Sequence, residues 1–128
     1  LAKGNNPMSG LNILIVEDEA IIAMLLSQVV EGMGHRVCDT AATETEAVAA
    51  AARCRPDLMI VDAHLRQGSG IAAVTEILRN GFVPHIFVSG DMATARRLHE
   101  GSVVLEKPFD EFQLARAIER ALQKTLAH

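Results

Sequence analysis

Leu58-Met-Ile-Val-Asp62-Ala-His-Leu-Arg-Gln-Gly-Ser-Gly70 begins as an unbroken apolar run and meets an acid at Asp62. Pro56-Asp57 opens the run, and the turn residues Gly68-Ser69-Gly70 close the stretch. So short and continuous a run predicts a strand covered on both faces, as in the centre of a parallel sheet. Asp62 then stands at the carboxyl end of a central strand, the edge at which open α/β sheets take their ligands.

Working outward, the same alternation recurs on both sides. Upstream, Leu11-Asn-Ile-Leu-Ile-Val16 predicts the first strand, ending on Glu17-Asp18-Glu19. Ile21, Ile22, Leu25, Leu26, Val29 and Val30 follow as one apolar helical stripe, stopped by Gly32 and Gly34. His35-Arg-Val-Cys-Asp-Thr40 is a shorter and more polar strand, suited to a sheet edge. Thr43-Glu-Thr-Glu46 has capping-box spacing and starts an Ala-rich helix that runs to about Cys54, where Pro56 bars its continuation.

Downstream of Asp62, Ile71, Val74, Ile77 and Leu78 mark the buried face of a third helix over 70–80. Pro84-His-Ile-Phe-Val-Ser89 is the fourth strand, and 91–100 a short, weakly amphipathic helix. Ser102-Val-Val-Leu-Glu106 is the fifth strand. Asp110-Glu-Phe-Gln113 caps a last helix whose inward positions are Phe112, Leu114, Ala115, Ile118, Ala121 and Leu122. Strands alternating with helices over short loops predict an α/β fold, a parallel five-stranded sheet between two helical layers. The flavodoxin-like (βα)5 three-layer sandwich, strand order 2-1-3-4-5, is the natural topology, with its switch point between strands one and three. Residues 11–128 form one domain, and 1–10 read as a disordered leader or an expression remnant ahead of Met8.

Bulk properties exclude several classes. The net charge is −4 without a Lys/Arg run, which argues against nucleic-acid binding by this domain. No apolar stretch is long enough for a membrane helix. Cys38 and Cys54 lack metal or redox spacing and read as reduced, buried thiols of a cytoplasmic protein. With no Trp or Tyr, the core must be aliphatic.

Strand order then assembles a site. Strands one, three, four and five end in Glu17-Asp18, Asp62, Ser89 and Lys107. Strands one and three are neighbours, so three carboxylates crowd one crevice, at roughly 4 kcal/mol per close pair at intermediate dielectric. A hard divalent cation relieves that repulsion, and Mg²⁺ suits a few carboxylates, waters and a phosphate. Lys107 adds a compact positive charge and Ser89 a hydroxyl donor, the kind of positioning and charge neutralisation that phosphoryl transfer requires. A carboxylate can itself be the acceptor, forming an acyl phosphate.

Taken singly, each feature has a plainer meaning. Acids after a strand commonly start a helix, a strand-end Asp commonly caps a turn, and a Lys before Pro commonly snorkels. Ser89-Gly90 is an ordinary turn, His64 an ordinary loop residue, and Gly68-Ser69-Gly70 is too short for a phosphate loop. Their coincidence on one sheet edge raises the set above these readings.

Val16-Glu17-Asp18-Glu19, Val61-Asp62, Phe87-Val88-Ser89-Gly90 and Glu106-Lys107-Pro108-Phe109, in that order, closely resemble the receiver domain of two-component response regulators. The resemblance covers 11–126. It implies Asp62 as phosphoacceptor, taking a phosphoryl group from a sensor histidine kinase. It implies Mg²⁺ held by Asp18, Asp62 and the backbone carbonyl of His64, with Glu17 acting through water. Ser89 becomes the switch hydroxyl, Lys107 the phosphoryl's partner, and Lys107-Pro108 a cis peptide. The implied output is a change in the face formed by the fourth helix, fifth strand and fifth helix, read by a downstream protein or by a second copy in a phosphorylation-dependent dimer.

Three departures stand out. Val104 occupies the place of the family's strand-five aromatic, the segment between Ser89 and Lys107 is short, and Asp91 follows a Phe-Val-Ser-Gly similar to the Phe-Ala-Thr-Gly motif of an atypical subclass. They keep one alternative in view, a pseudo-receiver that binds proteins without cycling phosphate. A flavodoxin-like small-molecule binder or hydrolase is a weaker reading, because the first loop has no glycine-rich cradle.

Overall fold

A computed structural model describes residues 10–91, 93, 94, 98 and 102–126. The strands are β1 (Asn12–Val16), β2 (Arg36–Ala41), β3 (Leu58–Asp62), β4 (His85–Ser89) and β5 (Val103–Glu106). They form one parallel sheet in the order β2-β1-β3-β4-β5. β3 is central and buried at every position. β2, the polar strand, lies at an edge.

Period-two alternation divides the aliphatic core between the two faces. Ile13, Ile15, Leu58, Ile60, Ile86 and Val88 pack under helix α1 (Ala20–Gly32) and the C-terminal helix (Glu111–Leu126). Leu14, Val16, Met59, Val61 and Phe87 pack on the other face, under α2 (Glu44–Cys54) and α3 (Gly70–Ile77). The third helix ends its α-helical part at Ile77 and tightens into a 3-10 turn over Leu78–Asn80. Of its expected face, Val74 and Ile77 are buried, while Ile71 and Leu78 are half-buried.

Caps set the helix starts. The Glu46 amide donates to Thr43 Oγ1 (3.1 Å), and Glu46 Oε1 accepts from the Ala42 amide (2.9 Å). Asp110 and Gln113 bond reciprocally, side chain to amide, at 2.8 and 2.9 Å. Ser69 caps α3 by accepting from the Ile71 and Ala72 amides.

Three expectations need correction. The α1 stripe is narrower than its apolar content: Ile21 and Leu25 are exposed (69% and 51%), and Ala23, Leu26 and Val30 are the buried positions. At 100° per residue these three share one side of the helix, and the small Ala23 lets α1 sit close to the sheet. Phe112 is likewise outside, 69% exposed, with the Arg116 guanidinium 5.9 Å from its ring. Leu114, Ala117, Ile118 and Ala121 hold the i, i+3, i+4, i+7 positions that face inward. The cysteines are half-buried free thiols rather than core residues. Cys38 is skipped in the β1–β2 register, where Ile13 pairs with Val37 and Leu14 with Asp39, so it sits at a bulge on an edge strand. Burial, with Cys54 beside it, pushes the Cys38 thiol up to about 12, which leaves it unreactive.

Ala93 and Thr94 are helical, but most of the helix expected over 91–100 lies outside the described residues. Among the described residues, no helix is long and apolar enough to cross a membrane.

Candidate functional site

The carboxyl ends of β1, β3, β4 and β5 bring the strand-end residues together. Backbone bonds carry the ladder one step past the strands: the Glu17 amide donates to Ala41, Ala63 to Val88, and Lys107 to Ser89, at 2.9–3.0 Å. Each functional side chain is thus mounted on the rigid rim of the sheet.

One carboxylate oxygen from each of Glu17, Asp18 and Asp62 lies within 4.8 Å of the others. Lys107 Nζ stands 3.2 Å from Asp62 Oδ2 and 4.0 Å from Glu17 Oε1. Glu17 and Asp62 are buried, at 4% and 7% exposure. Burial pushes the Glu17 carboxyl up to about 7; Asp62 adds repulsion, while the Glu19 amide and Lys107 oppose the shift. Lys107 and the exposed Arg66 guanidinium, 3.9 Å from Asp18 Oδ2, are two cations against three carboxylates, so the negative charge of the trio is undercompensated.

The loop from β3 to α3 closes the site from the side. The His64 amide donates to Asp62 Oδ1 (3.0 Å), and the Arg66 amide to Asp18 Oδ2 (2.7 Å). The loop then folds back sharply: His64 and Ser69 form a bridge, and the Gly70 amide donates to Ala63 (3.2 Å). A Cβ on Gly70 would lie 1.9 Å from the Asp62 carbonyl oxygen. Gly68, at φ +89, meets Glu44, whose carboxylate accepts from the Ser69 amide. These glycines, which read as ordinary turn residues in the sequence, let the loop approach β3 at Asp62.

Ser89 is 2% exposed. Its hydroxyl donates to the Asp91 carbonyl and accepts from the Asp91 amide. Lys107-Pro108 is a cis peptide. Above these residues lies an open depression of about 420 Å³, with Asp18, Asp62, His64, Arg66, Asp91 and Lys107 around it. A larger cleft of about 580 Å³ runs between β5 and the C-terminal helix, past Phe112 and Arg116. It lacks the carboxylate cluster, so the chemistry belongs to the smaller depression.

An all-oxygen donor set on a crevice short of positive charge fits a hard divalent cation. The buried, raised Glu17 carboxyl supports that fit, because a cation would restore its ionised form.

The response regulator receiver domain family matches residues 13–119. The chain belongs to this family. It is 41% identical over 115 residues to the phyllosphere-induced regulator PhyR of Methylorubrum extorquens, covering 86% of this chain and 43% of that protein. Among solved structures, the receiver domain of the Erythrobacter litoralis PhyR response regulator superposes with a TM-score of 0.80 at 37% identity, covering 92% of this chain and 94% of that one. The anti-anti-sigma factor PhyR from Bartonella quintana superposes with a TM-score of 0.81 at 33% identity, covering 92% and 49%. The receiver spans about half the length of the curated relatives it matches.

Arg66, Asp91 and Thr94 are site neighbours that sequence reasoning left without a role. Arg66 takes part chiefly through its backbone amide, which no side-chain pattern reveals. Thr94 comes close only because the chain after β4 turns back toward His64.

Proposed function

We propose that this receiver accepts a phosphoryl group on Asp62 from the phosphohistidine of a sensor histidine kinase, with Mg²⁺ in the acidic crevice. The observation that carries the reading is the convergence of three carboxylates within 4.8 Å, with Lys107 Nζ 3.2 Å from Asp62, on the ligand edge of the sheet. Asp18, Asp62 and the His64 carbonyl would hold the metal directly, and Glu17 through water. When bound, the ion supplies charge neutralisation for the acids and for the incoming phosphoryl oxygens.

The chain's own residues do the rest. An Asp62 carboxylate oxygen forms the new P–O bond as the P–N bond to the donor imidazole breaks, and the imidazole leaves with the electron pair and takes up a proton. Lys107, now paired with Asp62, turns to the phosphoryl group as the carboxylate charge is consumed. Ser89 leaves Asp91 to donate to a phosphoryl oxygen. The displaced segment after β4, with β5 and the C-terminal helix, forms the readout face. An acidic domain favours a protein over nucleic acid as reader, in keeping with the similar Bartonella quintana PhyR, an anti-anti-sigma factor. Residues 11–128 would constitute the receiver domain, at work in the cytoplasm.

Intact mass after incubation with acetyl phosphate tests this. One phosphoryl adduct, formed only with Mg²⁺ and absent in Asp62→Asn, is the expected result. If neither an adduct nor Mg²⁺ binding appears, the pseudo-receiver reading, which Val104 on β5 favours, takes its place.

A further inference from the structure

The hydroxyl assigned to the switch is already engaged. Ser89 Oγ donates to the Asp91 carbonyl at 3.1 Å and accepts from the Asp91 amide at 3.0 Å. Asp91 is itself anchored. Its Oδ1 accepts from the Ala93 amide (2.9 Å), and its Oδ2 from the Thr94 hydroxyl (2.9 Å). A carboxylate only accepts, so Thr94 commits its single hydrogen to Asp91. The 2.6 Å contact between Thr94 Oγ1 and His64 Nε2 therefore runs from imidazole N–H to hydroxyl oxygen, and His64 carries a proton on Nε2. His64 in turn donates its amide to Asp62 Oδ1. One polar chain thus runs from Asp62 through His64, Thr94 and Asp91 to Ser89, joining the loop after β3 to the segment after β4.

We propose that the His64 imidazole, Thr94 and Asp91 form a latch that holds Ser89 turned away from Asp62 until a phosphoryl group arrives. The latch rests on the receiver function proposed above and adds to it three positioning residues that act through Ser89. Thr94 is 1% and Ser89 2% exposed, so water does not readily replace bonds broken there. Ser89 gives up Asp91 only when another acceptor replaces it, and a phosphoryl oxygen is such an acceptor. The switch equilibrium then depends on the latch as well as on the phosphoryl group: a weaker latch populates the inward Ser89 before phosphorylation.

Beryllofluoride with Mg²⁺, a phosphoryl mimic, tests the latch on the full chain. Thr94→Val removes the hydroxyl while keeping the shape, and Thr94→Ser restores it. Asp91→Ala breaks the same chain from an exposed position, so it serves if the buried valine variant fails to fold. Thr94→Val and Asp91→Ala are each expected to bind beryllofluoride about five-fold more tightly than the parent. The double variant should gain little beyond either single change, and Thr94→Ser should match the parent. In the mimic-free state, the Ser89 amide resonance should move toward its beryllofluoride-bound position in both weakening variants, which a purely structural role would not produce. Parent-like affinity and an unmoved Ser89 amide in both would overturn the latch alone. No binding by the parent protein would overturn the receiver reading, and the latch with it.

Discussion

The two edges of the sheet handle buried polar groups in opposite ways. At the amino edge each is neutralised or bonded. His35 is 5% exposed, accepts the Leu11 amide on Nδ1 (3.3 Å), and is held below its ordinary pKa by burial. His85 is likewise depressed by burial; its Nδ1 bonds the Val83 carbonyl at 2.8 Å, and its ring stands 6.0 and 5.3 Å from those of Phe82 and Phe87. Beside them, the exposed Asp57 carboxylate caps the start of β1 through the Asn12 amide. The carboxyl edge instead buries Glu17 and Asp62 beside Asp18 with one lysine between them. One edge is built for stability, while the other keeps a repulsion that a divalent cation would relieve.

The most severe way to break the carboxyl edge is Gly70→Ala. A methyl 1.9 Å from the Asp62 carbonyl oxygen forces the β3–α3 loop outward, taking the His64 and Arg66 amides off the carboxylates. A loss of about 3 kcal/mol or more is expected in urea unfolding, together with loss of phosphorylation. Near-parent stability would mean the loop adapts, and that the close approach does not hold the site.

Opposite pH responses sharpen the contrast. Glu17 binds its proton more tightly folded than unfolded, at about 7 against 4.5, so the folded state loses stability as pH rises through that window. Glu17→Gln removes the loss. Without metal, it should exceed the parent by about 1–2 kcal/mol at pH 8, with the gap closing toward pH 4.5, while its Mg²⁺ affinity falls. The histidines run the other way. Their folded pKa values lie below 6.5, so their contribution is intact above 6.5 and declines as pH falls below it. His35→Gln should flatten that acid-side decline in denaturant titrations between pH 7.5 and 5. Parallel pH profiles for the two variants would refute the division of roles between the edges.

Much of this was legible because a parallel sheet writes itself in short apolar runs. Leu58–Val61 and Ile13–Val16 alternate faces, yet both faces are covered, so the runs are continuous and their last residues mark the edge. Asp62, Glu17, Asp18, Ser89 and Lys107 could be brought together by strand order alone. Side-chain direction on the helices was harder to read. The α1 sequence is apolar nearly all round, so its composition does not reveal that Ala23 is inside and Ile21 outside. Contacts that depend on loop shape, such as Arg66 on Asp18 and Thr94 on His64, leave no periodic signal at all.

Phe112 offers the finest test, because size and hydrophobicity would place it in the core. It opens the C-terminal helix at a position about 200° around the axis from Leu114, which is fully buried. A helix cannot turn both residues onto the sheet, and Leu114 shares its face with Ala117, Ile118 and Ala121. Phe112 therefore rests on the surface against the Arg116 guanidinium, a contact worth about 0.5–1 kcal/mol at an exposed site. Phe112→Ser should cost no more than that in urea unfolding, whereas Leu114→Ala should cost about 2–5 kcal/mol. Should the serine variant lose as much as the Leu114 variant, the ring has a buried partner that its 69% exposure contradicts. With stability near the parent's, Phe112 is free to serve the readout face, and its removal should leave Asp62 phosphorylation unchanged while weakening whichever protein reads it.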